Sequence, residues 1–230
     1  MQYLTNVAQR VGLRNRATGI YLITALSGLV DAVCFIGLGH VFAEMMTGNL
    51  LMLGFSIGIH GFTSGLDRYF LVIAFYVVGV IVSARILKNK KLWKEERFGF
   101  LIEWVLLVVS TIFAFNTQPD ATNSAGHVLL AMLAFSMGIL NTLLRVHGLA
   151  DLATNALTGT FTAFLADSTL AAGNNNNWVR RLSSITIFLS SAATGAALIQ
   201  YGLEWVLTLA CIVLSVALIP LLFGQESPQS

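Results

Sequence analysis

Charge is scarce in this sequence. Only 10% of its 230 residues are charged, with 13 Lys or Arg and 11 Asp or Glu, whereas a soluble domain usually carries about 25%. Hydrophobic residues make up 56% of the chain and the mean hydropathy is +0.78, so most of the surface cannot face water. These values exclude an ordinary soluble enzyme, a disordered regulator and a large extramembrane domain. They predict an all-α integral membrane protein in which residues 1–230 form a single membrane domain.

Cysteine is also nearly absent, and so are the motifs of catalysis. Cys34 and Cys211 lie far apart in apolar runs, without the close spacing of a zinc site or a redox pair. This excludes a disulfide framework and predicts two free core thiols. We find no nucleophile motif, metal cluster or cofactor motif, and therefore predict no catalytic residue, no metal and no cofactor.

Apolar runs separated by polar stretches predict eight helical segments, lettered A to H. They cover residues 17–39, 47–59, 69–87, 98–115, 127–146, 158–166, 182–200 and 204–223. Segments B and F are short, and at 1.5 Å per residue neither crosses a hydrocarbon core of about 30 Å. We therefore interpret them as re-entrant or interfacial half-helices, which are tolerated only where protein or water surrounds them.

The positions of the basic residues test this topology, because Lys and Arg concentrate on the cytoplasmic side of a membrane. Eight spans would divide the basic residues almost evenly between the two sides. Six spans place twelve of the thirteen inside and leave only Arg68 outside. The sequence thus predicts six transmembrane helices plus two short re-entrant half-helices, with both termini cytoplasmic. The same topology explains the basic residues, so no nucleic-acid partner is expected.

Short motifs recur in the same order in the two halves of the chain. The matches are Gly28-x-x-Asp31 with Gly138-x-x-Asn141, Met46-Thr47-Gly48-Asn49-Leu50 with Leu157-Thr158-Gly159-Thr160-Phe161, and Glu103-Trp104-Val105-Leu106 with Glu204-Trp205-Val206-Leu207. They predict repeat 1 over residues 17–116, with half-helix 47–59, and repeat 2 over residues 126–223, with half-helix 158–170. Because three spans per repeat is an odd number, the two repeats have inverted topology. Transporters built this way bind their substrate near the midplane, where interrupted helices end.

The Thr-Gly motifs at the starts of segments B and F are candidates for a binding site. Threonine is a suitable N-cap, glycine permits close approach of the backbone, and the free amides of a helix N-terminus attract anions or polar groups. The alternative is that these motifs are caps and close-packing turns. The candidate substrate-binding residues are Asp31, Thr47, Gly48, Asn49, Asn141, Thr158, Gly159 and Thr160.

Asp31 is the one acid that this division of the chain puts deep inside a span. An ionised carboxylate there is costly unless it is paired or hydrated. Asp31 is interpreted either as a proton or cation carrier, with Asn141 as its uncharged counterpart, or as an acid that holds the fold together by hydrogen bonding to a half-helix.

Structural roles are favoured for several other polar residues. His40 with Glu44, and His147 with Asp151, have the i,i+4 spacing of one helix face and are predicted to be solvated interfacial pairs. Two small-xxx-small patterns are expected to serve internal helix packing, with a dimer seam as the alternative. They are Gly79-x-x-x-Ser83 and Ser191-x-x-x-Gly195.

Glu103 and Glu204 are each followed by tryptophan. A glutamate at a helix N-terminus and a tryptophan at the membrane interface are both favourable. We therefore predict that both residues anchor the starts of segments D and H at the two membrane surfaces.

Two stretches of the chain resemble a known family. They are Gly28-Leu29-Val30-Asp31-Ala32 and Val41-Phe42-Ala43-Glu44-Met45-Met46-Thr47-Gly48-Asn49. Their Gly-x-x-Asp-Ala and Met-Thr-Gly-Asn elements resemble the YoaK-type family of bacterial membrane proteins, a domain of unknown function, and length and hydropathy agree along essentially the whole chain. The resemblance implies a multi-pass protein of the bacterial inner (plasma) membrane. It implies no substrate, reaction or catalytic residue.

An inverted repeat with a polar centre favours a small integral membrane transporter or channel-like protein. It would move a small polar or ionic solute through a central site at the interface of the repeats. We expect it not to be an enzyme, to contact membrane lipids and to form a homodimer, the commonest oligomer. The alternatives are a membrane-embedded enzyme acting on a lipid or lipid-linked substrate, served by the His/acid pairs, and a non-transporting membrane scaffold or sensor.

Overall fold

The computed structural model describes residues 18–60, 65–88, 96–146, 157–175 and 177–223, and every regular element in these ranges is helical. Six helices are long and apolar enough to cross a membrane, and two apolar helices are shorter. This confirms the six spans deduced from the placement of charge. In chain order the helices are α1 (Thr18–Gly37), α2 (Met46–His60), α3 (Asp67–Lys88), α4 (Glu96–Thr117), α5 (Ser124–Val146), α6 (Leu157–Ala166), α7 (Trp178–Leu198) and α8 (Leu203–Phe223).

Four long helices begin two to four residues earlier than the hydropathy pattern predicts. Helix α4 begins at Glu96 instead of Phe98, and α7 begins at Trp178 instead of Leu182. Glutamate and arginine are good helix formers, so a helix continues through charged residues that hydropathy assigns to a loop.

The ends of the spans form two opposite faces. The face at which α1 and α4 end, and at which α3, α5 and α8 begin, is called the first face. There, the rings of Phe115 and Trp205 are 5.6 Å apart, and His127 Nε2 lies 2.9 Å from Asp67 Oδ2. The second face holds the starts of α1, α4 and α7 and the ends of α5 and α8. There, the Tyr21 hydroxyl donates to the Arg180 carbonyl at 3.4 Å.

Glycines allow two pairs of helices to cross closely. Between α3 and α5, the Cα atoms of Gly79 and Gly138 face each other, and a Cβ added to either glycine would lie 3.3 Å from the other Cα. Between α1 and α7, a Cβ on Gly28 would collide with Ser191 Oγ and would lie 2.9 Å from the Phe188 carbonyl oxygen. The small-residue patterns of α3 and α7 therefore serve packing within the chain, as predicted.

The remaining long helices complete the bundle around α1 and α5. Helix α4 packs along both α5 and α8, and α8 contacts the last turn of α1. The two thiols are free, with Cys34 buried and Cys211 half-buried, as the sequence predicts. Cys211 Sγ lies 3.2 Å from Thr111 Oγ1, across the contact between α8 and α4.

Asp120 organises the turn between α4 and α5. Its Oδ1 accepts hydrogen bonds from the Thr122 hydroxyl at 2.6 Å and from the Asn123 backbone N–H at 3.0 Å. These bonds, that from Thr122 foremost, hold the pKa of Asp120 below its ordinary value. Only the ionised carboxylate of Asp120 accepts all of these hydrogen bonds. Asp120 therefore stabilises the turn fully at a pH above the ordinary pKa of aspartate, and this stabilisation is lost as the pH falls through the lowered pKa of the folded protein.

We expect acid to open this turn before it affects the bundle. The backbone amides of Thr122 and Asn123 should lose protection from hydrogen exchange when Asp120 is protonated. Comparing the native chain with Asp120→Asn at each pH removes the intrinsic pH dependence of exchange. Equal protection in the two proteins at every pH would contradict this role of Asp120.

Candidate functional site

The chain reverses direction after α1. The last turn of α1, Val33–Gly37, is a wider π-helical turn, a feature common at functional sites. Gly39 and His40 then adopt positive φ angles of 103° and 61°, and the His40 N–H donates back to the Phe35 carbonyl at 3.0 Å, as in a glycine-based helix C-cap. These bonds end the helix and turn the backbone around.

The segment that follows, residues 38–45, returns to the side of α1. The backbone N–H of Glu44 donates to Asp31 Oδ1 at 2.9 Å, and Asp31 lies six residues before the end of α1. Ala43 and Glu44 are buried. Asp31 thus holds the returning backbone by a hydrogen bond, which is the structural role that the sequence left open for it.

Asn49 fixes the same segment from the first turn of α2. Its Nδ2 donates to the Phe42 carbonyl at 2.7 Å, and its Oδ1 accepts the Phe42 N–H at 2.9 Å. Asn49 is fully buried, whereas Thr47 is exposed. A Cβ on Gly48 would lie 3.1 Å from the Phe42 ring, so glycine at this position gives that ring room.

The structure also buries a glutamate of α4. Glu103 of α4 is fully buried, and its Oε1 accepts a hydrogen bond of 2.6 Å from the Ser136 hydroxyl of α5. The Glu44 carboxyl interacts electrostatically with both Asp31 and Glu103. Tyr76 of α3 interacts with Glu44 and Asp31 in the same way. We call Asp31, Glu44 and Glu103 the acidic centre.

The acidic centre brings together the Asp and Glu side chains that are buried in the described part of the chain. Among the described residues, Asp31, Glu44 and Glu103 are the buried ionisable acids, and no Lys, Arg or His is buried. Within the same ranges, Asp31 Oδ2 and Glu103 Oε2 have no hydrogen-bond partner. No group of three or more His, Cys, Asp or Glu side chains there is arranged to hold a metal ion.

The candidate residues of the second half lie in different surroundings. Asn141 of α5 is buried, and its Nδ2 donates to the Met137 carbonyl at 3.0 Å. At the start of α6, Thr160 is buried but Thr158 and Gly159 are exposed, and a Cβ on Gly159 would meet no atom within 4 Å. Binding of a solute by these residues stays a prediction.

Helix α6 is tied to the start of α7. Arg181 Nη1 donates to the Ala163 carbonyl at 2.8 Å and to Asp167 Oδ2 at 2.6 Å. The C-terminal end of α6 therefore lies on the second face, where α7 begins.

The structure corrects the interpretation of two glutamates. Glu103 does not anchor the start of a helix at the interface, because α4 begins seven residues earlier and Glu103 is fully buried. Glu204 does lie at the start of α8, beside an exposed Trp205, as predicted.

The four-residue spacing of His40 and Glu44 does not mark a helix face, because residues 38–45 are not helical. His40 is exposed and Glu44 is buried, so they are not a solvated pair.

Asp31 is therefore not the one acid deep in the protein, because Glu44 and Glu103 are buried as well. The sequence signal that could have drawn attention to these two glutamates is the rarity of acidic residues, of which this membrane chain has only 11. The second predicted pair, His147 and Asp151, lies outside the described residues.

The fold and the acidic centre define a multi-pass helical membrane protein. The chain belongs to the family described as protein of unknown function DUF1275, whose sequence profile matches residues 19–219. It is 30% identical over 155 residues to the UPF0700 transmembrane protein YoaK of Bacillus subtilis (strain 168), an alignment that covers 66% of this chain and 67% of that protein. The resemblance to the YoaK-type family is thus confirmed. No solved structure matches the chain.

Proposed function

We propose that the protein is a small transporter of the bacterial inner membrane that moves a small polar or ionic solute through its centre. The observation that carries the proposal is the acidic centre, buried among six apolar spans and joined to a chain reversal. Ionisable groups at membrane depth are costly and mark solute or ion pathways. Non-helical backbone at such depth is tolerated where it is enclosed by protein or lines a watery cavity.

The chain reversal supports a re-entrant role for α2. Glu44 reaches Asp31, about 9 Å before the end of α1 at 1.5 Å per residue, so α2 begins two residues after a point inside the membrane. Helix α2 then leads to α3, which begins at the first face. The 15 residues of α2 cover about 22 Å at 1.5 Å per residue, which is more than this depth, so α2 would return to the first face strongly tilted from the membrane normal. Helix α6, tied at its C-terminal end to the start of α7, fits the same pattern at the second face.

Contacts between helices of the two halves support two inverted repeats. In this scheme α1, α3 and α4 correspond to α5, α7 and α8. Helix α1 crosses α7 at Gly28, and α5 crosses α3 at Gly138, so the first span of each repeat packs on the middle span of the other. Burial agrees as well. The buried share is 72% and 78% in α1 and α5, 17% in both α3 and α7, and 39% in both α4 and α8.

The repeats give the solute path its residues and its surroundings. Thr47, Gly48 and Asn49 would lie at the start of one half-helix and Thr158, Gly159 and Thr160 at the start of the other, with Asp31 and Asn141 beside them. Large apolar side chains are exposed along α3 and α7, which suits contact with lipid or with a second copy in a homodimer. The distribution of basic residues favours a cytoplasmic second face and cytoplasmic termini.

Uptake by purified protein in liposomes tests this function. The panel consists of radiolabelled amino acids, sugars, inorganic anions and monovalent cations. We expect at least one class to enter faster than into protein-free liposomes. Gly159→Phe should slow that uptake because it fills open space at the predicted path. Gly54→Phe is the matched control, since Gly54 is also exposed with no atom near its Cβ position, and it should transport normally. Failure of the whole panel, or equal effects of the two variants, would contradict the proposal.

A further inference from the structure

The ring of His127, near the start of α5, has an acceptor oxygen beside each of its nitrogens. Nδ1 lies 3.1 Å from the Asn123 carbonyl oxygen, and Nε2 lies 2.9 Å from Asp67 Oδ2 at the start of α3. A carbonyl oxygen and an ionised carboxylate accept hydrogen bonds but do not donate them. A neutral imidazole has one N–H and can satisfy one of the two oxygens, whereas the protonated ring donates to both. The geometry is therefore that of a protonated His127.

Both side chains of this pair reach water. The exposed fraction is 34% for the His127 side chain and 61% for that of Asp67. A hydrated aspartate is ionised at neutral pH, which gives the carboxylate that the geometry requires. Histidine changes its charge between about pH 5 and about pH 8, and the exposed ring can exchange its proton directly with the solvent at the first face.

The pair joins two helices that also pack closely elsewhere. Helices α3 and α5 both begin at the first face, and the bond between Asp67 and His127 connects them there. Their backbones come into close contact at Gly79 and Gly138, which lie about 16–18 Å farther along the helices at 1.5 Å per residue. The first-face ends of this helix pair are thus held together by a bond that includes a titratable ring.

Arg68 and Asp120 are the charged neighbours of the pair on the adjoining elements of the described chain. Arg68 interacts electrostatically with Asp67, its Nη2 donates to the Ala121 carbonyl in the turn before α5, and a Cβ on Gly39 would collide with its guanidinium group. Asp120 accepts hydrogen bonds within its own turn. Because arginine stays charged at all relevant pH values, Arg68 holds the turn and the chain reversal at every pH, and the bond of His127 is the part that responds to pH.

We propose that His127 is a pH-sensitive tie at the first face, whose protonated ring holds the start of α3 to the start of α5. Loss of the proton breaks one N–H bond of the ring and passes the proton to water, so no further reactant is required. The neutral ring then keeps one of its two hydrogen bonds and no charge. The stabilisation is present when His127 is protonated and is lost as the pH rises. Strong acid that protonates Asp67 removes it as well, so the tie is strongest at mildly acidic pH.

Thermal midpoints in detergent, measured between about pH 5 and about pH 8, test the tie without a solute. Asp67→Asn, His127→Gln and the double variant form a double-mutant cycle with the native protein. At the acidic end each single variant should melt a few degrees lower than the native protein, as expected for an exposed ion pair, and the double variant should melt no lower than either. At the alkaline end this coupling should disappear. Absence of coupling at the acidic end, or coupling that does not change with pH, would overturn the tie.

Glu204→Gln is the matched control for the loss of an acid from a helix N-terminus. Glu204 lies in the first turn of α8, as Asp67 lies in the first turn of α3, and both helices begin at the first face. Its effect should add to that of His127→Gln at every pH. If Glu204→Gln couples to His127→Gln as strongly as Asp67→Asn does, the coupling reports the general charge of this face, and a specific tie is excluded.

Regulation of transport by the tie rests on the proposed function, whereas the tie itself does not. The distribution of basic residues favours a cytoplasmic second face, so the tie would meet the medium outside, and Arg68 connects it to the chain reversal at Gly39. Releasing the start of α3 should therefore ease opening of the solute path toward the outside.

Solute exchange by liposomes tests this regulation. His127→Arg keeps a permanent charge beside Asp67 and should hold the tie at every pH. The native protein and His127→Arg should exchange a panel solute equally fast at about pH 5, and the native protein should be faster at about pH 8. Equal rates at both pH values would overturn the regulation while leaving transport intact. If no panel solute moves in either protein, the proposed function fails, and the thermal cycle still decides whether the tie exists.

Discussion

Replacing Gly138 with alanine is expected to destabilise the protein by about 1–3 kcal/mol, the cost of an extra methyl group in a packed interior. The added Cβ would collide with the Tyr76 carbonyl oxygen and would lie 3.1 Å from the Val80 nitrogen and 3.3 Å from the Gly79 Cα. All three atoms belong to the backbone of α3. No side-chain rotation relieves such contacts, so α3 and α5 must move apart.

Helix separation at this point should be visible as a lower thermal midpoint in detergent. A loss of 1 kcal/mol shifts the midpoint by about 2–4 °C for a domain of this size. Gly54→Ala and Gly58→Ala are matched controls, because both glycines lie in helix α2 with no atom within 4 Å of the Cβ position. They should be neutral or stabilising, since alanine favours a helix over glycine by about 0.5–1 kcal/mol. A Gly138→Ala protein as stable as these controls would show that the helices do not cross so closely.

The architecture was predictable because the membrane constrains it in one dimension. Hydropathy marks the apolar part of each helix, and segments B and F were too short to cross. The position of the basic cluster at residues 88–97 then decided between six and eight spans. None of these arguments requires knowledge of which helices are neighbours, and for that reason they hold from sequence alone.

The acidic centre was only partly predictable because it depends on helix ends and on neighbours. Asp31 lies in an apolar run and was recognised. Glu103 was predicted to anchor the start of segment D because a tryptophan follows it, whereas it is fully buried seven residues into α4. Glu44 was placed on a helix face by its distance from His40, but the chain reverses direction at Gly39 and His40. A spacing rule for helices has no meaning across such a reversal.

The roles of the three residues in the Thr-Gly-Asn motif were likewise only partly predictable from the sequence. The sequence made all three residues candidates for a solute path, with a cap and a close-packing turn as the alternative. The Asn49 amide is instead bound to the Phe42 backbone, and Gly48 gives the Phe42 ring room, whereas Thr47 is exposed. A motif at a helix N-terminus can serve the fold and a ligand with different residues, and sequence alone does not divide these roles.

Replacing Asn49 with alanine is expected to release segment 38–45 and with it the backbone of Glu44. The change leaves the N–H and carbonyl of the half-buried Phe42 without their partners, and each such loss at a fully buried group costs about 1–3 kcal/mol. We therefore expect a marked fall in thermal midpoint together with loss of solute uptake. Asn116→Ala is the control, since the side chain of the exposed Asn116 donates to the Ile112 carbonyl of its own helix. Its effect should stay within about 0.5 kcal/mol.

Asn49→Asp separates the hydrogen bonds from mere volume. The aspartate keeps the acceptor for the Phe42 N–H, but in its ionised form it cannot donate to the Phe42 carbonyl. Protonation restores a donor on a side chain of nearly the same shape. The thermal midpoint of Asn49→Asp should therefore rise toward that of the native protein as the pH is lowered, whereas that of Asn49→Ala should show no such recovery. Equal pH dependence of the two variants would mean that Asn49 holds the segment by packing and not by its hydrogen bonds.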